Sequence, residues 1–78
     1  MLELWFKPKS ELDVFDYVDQ IRGSYCHEVD VIVTYDTHPG LVCVLFDRLK
    51  QDFELTGASY RYDNFGNSLM SFRKKKSN

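Results

Sequence analysis

Hydrophobic residues recur along this chain at two spacings, every second position and every third or fourth position. These spacings are typical of strands and helices respectively. The first strand is predicted over residues 2–7, where Leu2, Leu4 and Phe6 occupy one face. Pro8 ends this strand, because proline has no N–H to donate to a neighbouring strand.

The next segment has the signals of a helix that ends at Gly23. Ser10 is placed to accept a backbone N–H at the start, and Asp13 is placed to bond back as in a capping box. Asp16 and Asp19 fall on the outer side, so we expect an acidic outer face. The inner stripe consists of Val14, Phe15, Val18 and Ile21.

Residues 28–35 form the most hydrophobic stretch and predict a second strand. Ile32 is apolar on the face opposite to the other hydrophobic residues, and apolar residues on both faces are typical of a central strand. The other face carries Val29, Val31, Val33 and Tyr35.

Pro39 predicts the first turn of a second helix, which Thr37 or His38 would cap. Gly57 is expected to end this helix. A strand over residues 41–46 is the alternative, because the β-branched residues there are weak helix formers. The inner helical positions would be Leu41, Val42, Leu45, Leu49 and Phe53.

Residues 58–74 predict a β-hairpin that turns at residues 64–67, whose residue types accept positive φ. One register pairs Tyr62 with Met70, which places apolar side chains together on one face. In that register Tyr60 faces Phe72.

The element order β-α-β-α-β-β predicts an α/β fold, a two-layer α+β sandwich with a four-stranded mixed sheet. Right-handed crossovers make the first three strands parallel, and the hairpin makes the fourth antiparallel. Both helices cover one face, and the other face is left open to a partner. We expect one domain over residues 1–74 and a disordered basic tail over residues 75–78.

Composition supports one small globular domain: 78 residues, 44% of them hydrophobic and 15% aromatic. The net charge of −2 conceals an uneven distribution. Residues 1–38 hold three basic and eight acidic residues, whereas residues 39–78 hold seven basic and four acidic residues. Such a bipolar domain can meet a charged partner or a second copy of itself, so a homodimer is possible.

The sequence lacks a run of about 18 apolar residues and a basic N-terminal leader, so we expect a cytoplasmic protein with no membrane partner. In a reducing compartment Cys26 and Cys43 would be free thiols. Their spacing to His27 and His38 does not match the usual zinc motifs, and Cys43 is expected in the core.

The second half of the chain contains an apolar strand that ends in an acid over residues 31–36, then Pro39, then Phe53-Glu54-Leu55 and Phe72-Arg73-Lys74. In this pattern it resembles the small sulfur-carrier family of TusA/SirA-like proteins. The resemblance covers roughly residues 28–76 and implies the same order of helices and strands. That family holds its carrier cysteine in a Cys-Pro-x-Pro motif at the first helix, where this chain has a lysine, Lys7, before Pro8. The resemblance therefore implies the fold and does not extend to sulfur transfer.

We expect a non-enzymatic protein-binding domain, a stand-alone adaptor or inhibitor of a larger protein. Trp5 and Phe6 are adjacent, so one of them faces the open side of the sheet and can anchor a partner. The acidic face of Asp13, Asp16 and Asp19 would form the charged rim of that interface.

The alternative function is binding of single-stranded DNA or RNA through the C-terminal hairpin, which mixes stacking and phosphate-binding groups. The net acidic charge counts against it. The residues concerned are Tyr60, Arg61, Tyr62, Arg73, Lys74, Lys75 and Lys76.

A minor prediction is an anion site at the start of the second helix, formed by Thr37, His38 and Gly40. The alternative interpretation of these residues is a capped strand-to-helix turn without a binding site. No Gly-rich phosphate loop or nucleophile motif is present in the sequence, so we expect no catalysis, no cofactor and no metal.

Overall fold

The computed structural model describes residues 1–76 and contains two helices and a four-stranded mixed sheet. The order β-α-β-α-β-β is therefore confirmed. The elements are β1 (Leu2–Phe6), α1 (Glu11–Gly23), β2 (Glu28–Val33), α2 (Pro39–Leu49), β3 (Phe53–Ser59) and β4 (Ser68–Lys74).

The strands lie in the order β1-β2-β4-β3. β1 pairs with β2 in parallel, and β4 is antiparallel to both β2 and β3. The first three strands consequently run the same way, as predicted, and β4 runs between β2 and β3 in the opposite direction. β2 is an interior strand, as its apolar residues on both faces predicted. β1 and β3 form the two edges.

The helix side of the sheet holds the core. Leu4 and Phe6 of β1 are buried there, and the Phe6 ring meets Tyr17 of α1 edge-on, with ring centroids 5.1 Å apart. The side chains that complete this layer come from both helices and all four strands. They include Val14, Val18, Ile21, Val29, Val31, Leu45, Leu49, Phe53 and Phe72.

α1 begins where predicted, but its start is held differently. The Ser10 side chain makes no capping hydrogen bond. Instead the Lys9 N–H donates to Asp13 Oδ2 at 2.9 Å, so Asp13 rather than Ser10 supplies a side-chain acceptor at the first turn. The helix includes Gly23, and the positive φ that ends it belongs to Tyr25, at 56°.

The inner stripe of α1 is buried at three of its four predicted positions. Phe15 is only half-buried, and the Arg48 guanidinium lies 4.7 Å from the centroid of its ring. This cation–π contact joins the outer edges of α1 and α2. Leu12 is exposed.

α2 is a helix over residues 41–46, so the alternative of a strand is excluded. His38 caps it, as predicted, with the Gly40 N–H donating to His38 Nδ1 at 3.0 Å. The predicted end at Gly57 is wrong, because the helix stops at Leu49. Phe53 suits both assignments: it continues the helical spacing from Leu49, and it equally begins a strand.

The hairpin register differs from the predicted one. Met70 faces Ala58 rather than Tyr62, and Phe72 faces Leu55 rather than Tyr60. The pairing shifts at a bulge between Leu55 and Gly57. The strands are therefore joined by a longer connection, residues 60–67, hereafter the β3–β4 loop.

The end of β4 is fixed to the body of the domain. The Lys74 N–H donates to the His27 carbonyl at 2.7 Å, and the Lys75 N–H donates to the Asp52 carbonyl at 2.9 Å. Lys75 Nζ also donates to the Lys50 carbonyl. The expected tail over residues 75–78 is thus anchored at its first residue, and its last two residues lie outside the described part.

No helix in the part of the chain that the structure describes is both long and apolar enough to cross a membrane.

Candidate functional site

An open groove of about 940 Å³ lies at the end of the sheet where β2 finishes. Its floor is apolar and comes from Val33, Val42 and Met70. One wall is the turn after β2 together with the start of α2, and the other wall is the β3–β4 loop. Ligands commonly bind at this end of parallel strands in α/β proteins, because the connecting loops there can vary without disturbing the sheet.

Three aromatic rings stand exposed along this groove. Tyr35 is 75% exposed, Tyr60 80% and Phe65 78%. A large apolar side chain that remains in water forgoes about 1.5–3 kcal/mol of burial. Three of them along one cavity form a patch of the kind that marks a binding surface. We call these residues, with the floor between them, the aromatic groove.

Asn67 ties the two walls together and is only 5% exposed. Its Oδ1 accepts a hydrogen bond from the Tyr35 N–H at 3.1 Å, which links the β3–β4 loop to the turn after β2. Its Nδ2 donates to Asp63 Oδ2 at 2.8 Å, and its carbonyl accepts from the Tyr62 N–H at 2.8 Å. The groove is therefore held in shape before any partner arrives.

The Asp63 carboxylate is the second fixed point of the loop. Its Oδ1 accepts from the N–H groups of Phe65, at 2.9 Å, and of Asn67, at 3.0 Å. Burial raises the pKa of Asp63, but the hydrogen bonds from Asn67, Phe65 and Gly66 outweigh that effect and hold the pKa below its ordinary value. Asp63 therefore stays ionised at neutral pH, and its charge is used inside the loop.

Arg61 has an uncommon backbone conformation, with φ at 52°. Such a conformation costs roughly 1–3 kcal/mol for a residue other than glycine. Its guanidinium lies 5.3 Å from the centroid of the Tyr60 ring and makes no hydrogen bond or ion pair with any residue among 1–76. The groove thus contains one cation whose donors are free.

The anion site predicted at the start of α2 has few free donors. Gly40 gives its N–H to His38, and the Leu41 N–H donates to the His38 carbonyl at 3.0 Å. The Thr37 hydroxyl lies 2.8 Å from the Thr34 hydroxyl and 3.3 Å from the Phe6 carbonyl, to which it donates. The segment is therefore a capped strand-to-helix turn.

The predicted protein-binding residues do not form one surface. Phe6 belongs to the core, so Trp5, 47% exposed, is the one that faces the open side of the sheet. Asp16 and Asp19 are exposed on α1, on the other side of the sheet. Asp13 is half-buried and holds the helix start. One partner would have to wrap around β1 to contact both Trp5 and the acidic face.

The open side of the sheet carries polar groups that are already paired with one another. Ser71 donates to Asp30 at 2.9 Å, and Arg73 forms an ion pair with Glu54 at 2.8 Å. Ile32 is buried on this side although no helix covers it, its partner Leu69 in β4 is half-buried, and Trp5 is exposed. This surface is less suited to a partner than the aromatic groove.

The predicted nucleic-acid residues are also separated. Tyr60 and Arg61 line the groove, whereas the basic residues 73–76 lie at the opposite end of the sheet, where β4 finishes. Tyr62 is not among the groove residues and lies near Glu3 of β1. Burial raises the pKa of its hydroxyl, and the nearby carboxylates of Asp63 and Glu3 raise it further. A single strand could not use all of these groups as one continuous track.

The two cysteines have different surroundings. Cys43 is exposed and lines the aromatic groove, so the prediction that it belongs to the core is wrong. Cys26 is half-buried against the core. Within residues 1–76, no group of three or more His, Cys, Asp or Glu side chains is placed to hold a metal ion.

Sequence reasoning missed Tyr35, Phe65 and Cys43 as groove residues. Tyr35 continues the alternating pattern of β2, but the strand ends at Val33 and leaves it in a turn. Phe65 lies in the predicted turn over residues 64–67 and counts among the possible stacking groups of the hairpin, but no pattern assigns it to a groove. The available signal was the segment from Asp63 to Asn67, whose Asp and Asn side chains favour a loop closed by its own hydrogen bonds.

Comparison of the chain with protein-family models, with curated proteins and with solved structures finds no match.

Proposed function

We propose that the protein is a non-catalytic protein-binding domain, an adaptor or inhibitor, and that the aromatic groove is its main contact surface. The observation that carries the proposal is the exposure of Tyr35, Tyr60 and Phe65 along one cavity. Tyrosine is enriched at binding hot spots because it buries a large area at a small cost in conformational entropy.

The preorganised walls support this proposal. Asn67 and Asp63 fix the loop through hydrogen bonds that are satisfied inside the protein. A partner therefore does not need to order the loop when it binds, and less of the interaction energy is lost to that ordering. Surfaces of this kind act by shape and apolar contact, which suits an adaptor or an inhibitor.

The charge of the groove favours a protein over a nucleic acid. Among the described residues that line it, only Arg61 and Asp63 are charged, and their formal charges cancel. Single-stranded nucleic acid requires a positive track along its phosphates as well as stacking rings. The Arg61 guanidinium against the Tyr60 ring is the one feature that suits a base and a phosphate.

The proposal is tested by capture of partners from an extract of the source organism, with and without nuclease, followed by mass spectrometry. The bait is the full chain, compared with the double variant Tyr60→Ser and Phe65→Ser. The matched control is Tyr25→Ser, which removes an equally exposed ring away from the groove. Circular dichroism first establishes that all three baits are folded.

We expect a nuclease-resistant protein that is captured by the full chain and by Tyr25→Ser but is lost with the groove variant. Equal capture by the groove variant would refute the groove as the contact surface. Recovery of nucleic acid, with all bound proteins released by nuclease, would replace the proposal with the single-strand alternative.

A further inference from the structure

We propose that the groove receives an extended, proline-containing segment of the partner in the polyproline II conformation, with a carboxylate side chain beside the prolines. This inference rests on the proposed function and names the chemistry of its partner. Three features of the groove lead to it: backbone groups that are already paired, exposed flat rings and one free guanidinium.

The strands beneath the groove have no free edge. Val33 in β2 lies between Phe6 of β1 and Ser68 of β4. Met70 in β4 lies between Val31 and Ala58. A ligand in the groove therefore cannot extend the sheet as an added strand. The strands offer no partners for its backbone polar groups, so a ligand whose backbone stays hydrated suits the groove.

Polyproline II is the extended conformation that meets this condition, because it makes no internal hydrogen bonds and its backbone stays solvated. Its prolines pack on aromatic rings, and the stiff chain loses little entropy on binding. Tyr35, Tyr60 and Phe65 supply such rings on both walls, and the floor between them is apolar.

The charged groups of the groove determine which side chain of the ligand should stand beside its prolines. The Asp63 carboxylate already accepts three hydrogen bonds from within the loop, so it has little to offer a basic ligand. Arg61 retains its side-chain donors and is held over the Tyr60 ring at the edge of the groove. A guanidinium with free donors binds a carboxylate in a two-pronged manner.

The test uses the full chain and synthetic peptides of about twelve residues, with proline at every third position to match the period of this conformation. The first peptide has a glutamate beside its central proline. In the second every proline is alanine, and in the third the glutamate is lysine. Affinity is measured by calorimetry at two salt concentrations.

We expect the first peptide to bind. Replacement of the prolines should weaken binding roughly tenfold or more, because a flexible chain must be ordered. Replacement of glutamate by lysine should weaken it about three- to tenfold, and Arg61→Gly should remove that difference.

Cys43 reports where the peptide lies, because it is exposed in the groove, whereas Cys26 is half-buried outside it. The first peptide should slow alkylation of the Cys43 thiol several-fold and leave the rate at Cys26 unchanged. Binding without protection of Cys43 would refute the location.

Equal binding of the proline and alanine peptides would refute the polyproline inference, and so would the absence of binding by all three. The proposed function has a separate readout. A partner that is captured through the groove in the extract experiment, but that does not compete with any peptide, would sustain the function and overturn only this inference.

Discussion

At the end of the sheet where the parallel strands begin, two rings of the strands are buried and one ion pair joins α1 to the segment before β3, while Tyr25 is exposed. Phe53 and Phe72 are both 2% exposed, and Arg22 forms an ion pair with Asp52 at 3.2 Å. At the groove end the rings of Tyr60 and Phe65 face water, and Arg61 has no ion-pair partner within the described residues.

The difference shows where a small domain leaves large apolar side chains exposed to water. A chain of this size buries only about 60% of its unfolded surface, so each large apolar residue left exposed is a substantial loss of stability. Three exposed rings, Tyr35, Tyr60 and Phe65, lie together at one end of the sheet, where loops rather than strands supply the residues.

The largest difference in stability is expected when a phenylalanine is replaced by alanine at each end of the sheet. Phe53→Ala should lower the free energy of unfolding by about 3–5 kcal/mol, because it opens a cavity in the core. Phe65→Ala should change it by less than about 0.5 kcal/mol, because the ring is exposed. Urea unfolding followed by circular dichroism measures both. If Phe53→Ala does not fold, Phe53→Leu serves as the milder variant; equal losses for the two alanine variants would invalidate the comparison.

The next effect concerns the joint between the walls of the groove. Asn67→Ala leaves the Tyr35 N–H without its acceptor, which should cost about 1–3 kcal/mol. Asn64→Ala is the matched control, because Asn64 is exposed in the same loop, and it should stay within about 0.5 kcal/mol of wild type. Hydrogen exchange at Tyr35 should accelerate only in the first variant. Unchanged exchange there would mean that Asn67 does not hold the groove.

A smaller effect, a gain in stability rather than a loss, is expected at the two residues with a positive φ. Arg61 and Tyr25 share a left-handed backbone, and Arg61→Gly and Tyr25→Gly should each raise stability by up to about 1 kcal/mol. Only Arg61→Gly should weaken binding of an acidic peptide. Thermal unfolding and calorimetry separate the two outcomes. A loss of binding with Tyr25→Gly as well would remove the distinction between the ends.

The smallest effect is a pH dependence confined to the loop. Because the folded pKa of Asp63 is depressed, its contribution to stability is full above the ordinary value of 3.8 and is lost as the pH falls through the lower folded pKa. Amide NMR signals of Phe65 and Asn67 should therefore stay constant from neutral pH down to about 4 and move only below it. In Asp63→Asn this acidic transition should be absent. A transition above pH 4 would contradict the hydrogen-bond assignment.

Much of the fold could be predicted from the sequence because most elements have a pattern specific to one structure. β2 has apolar residues on both faces and is interior, and Pro39 marks the first turn of α2. The boundary at Leu49 could not be predicted in the same way. Phe53 fits both a helical and an alternating spacing, so its burial does not distinguish the two, and only pairing with β4 settles it.

The site was less predictable, since it depends on contacts between distant segments. Tyr35 and Asn67 are far apart in sequence, and a backbone-to-side-chain hydrogen bond that joins two turns leaves no periodic signal. Ring exposure also depends on where a strand stops. An alternating pattern that continues into a turn, as at Tyr35, predicts burial for a residue that is in water.

Both described ends of the chain lie at the same end of the sheet. Leu2 begins β1 opposite Val29, and β4 passes Val29 at Phe72 on its way to Lys74. The groove lies at the other end of a molecule whose longest dimension is 39 Å. An affinity tag, a fluorophore or a surface tether attached at either end would therefore leave the aromatic rings facing away from the support.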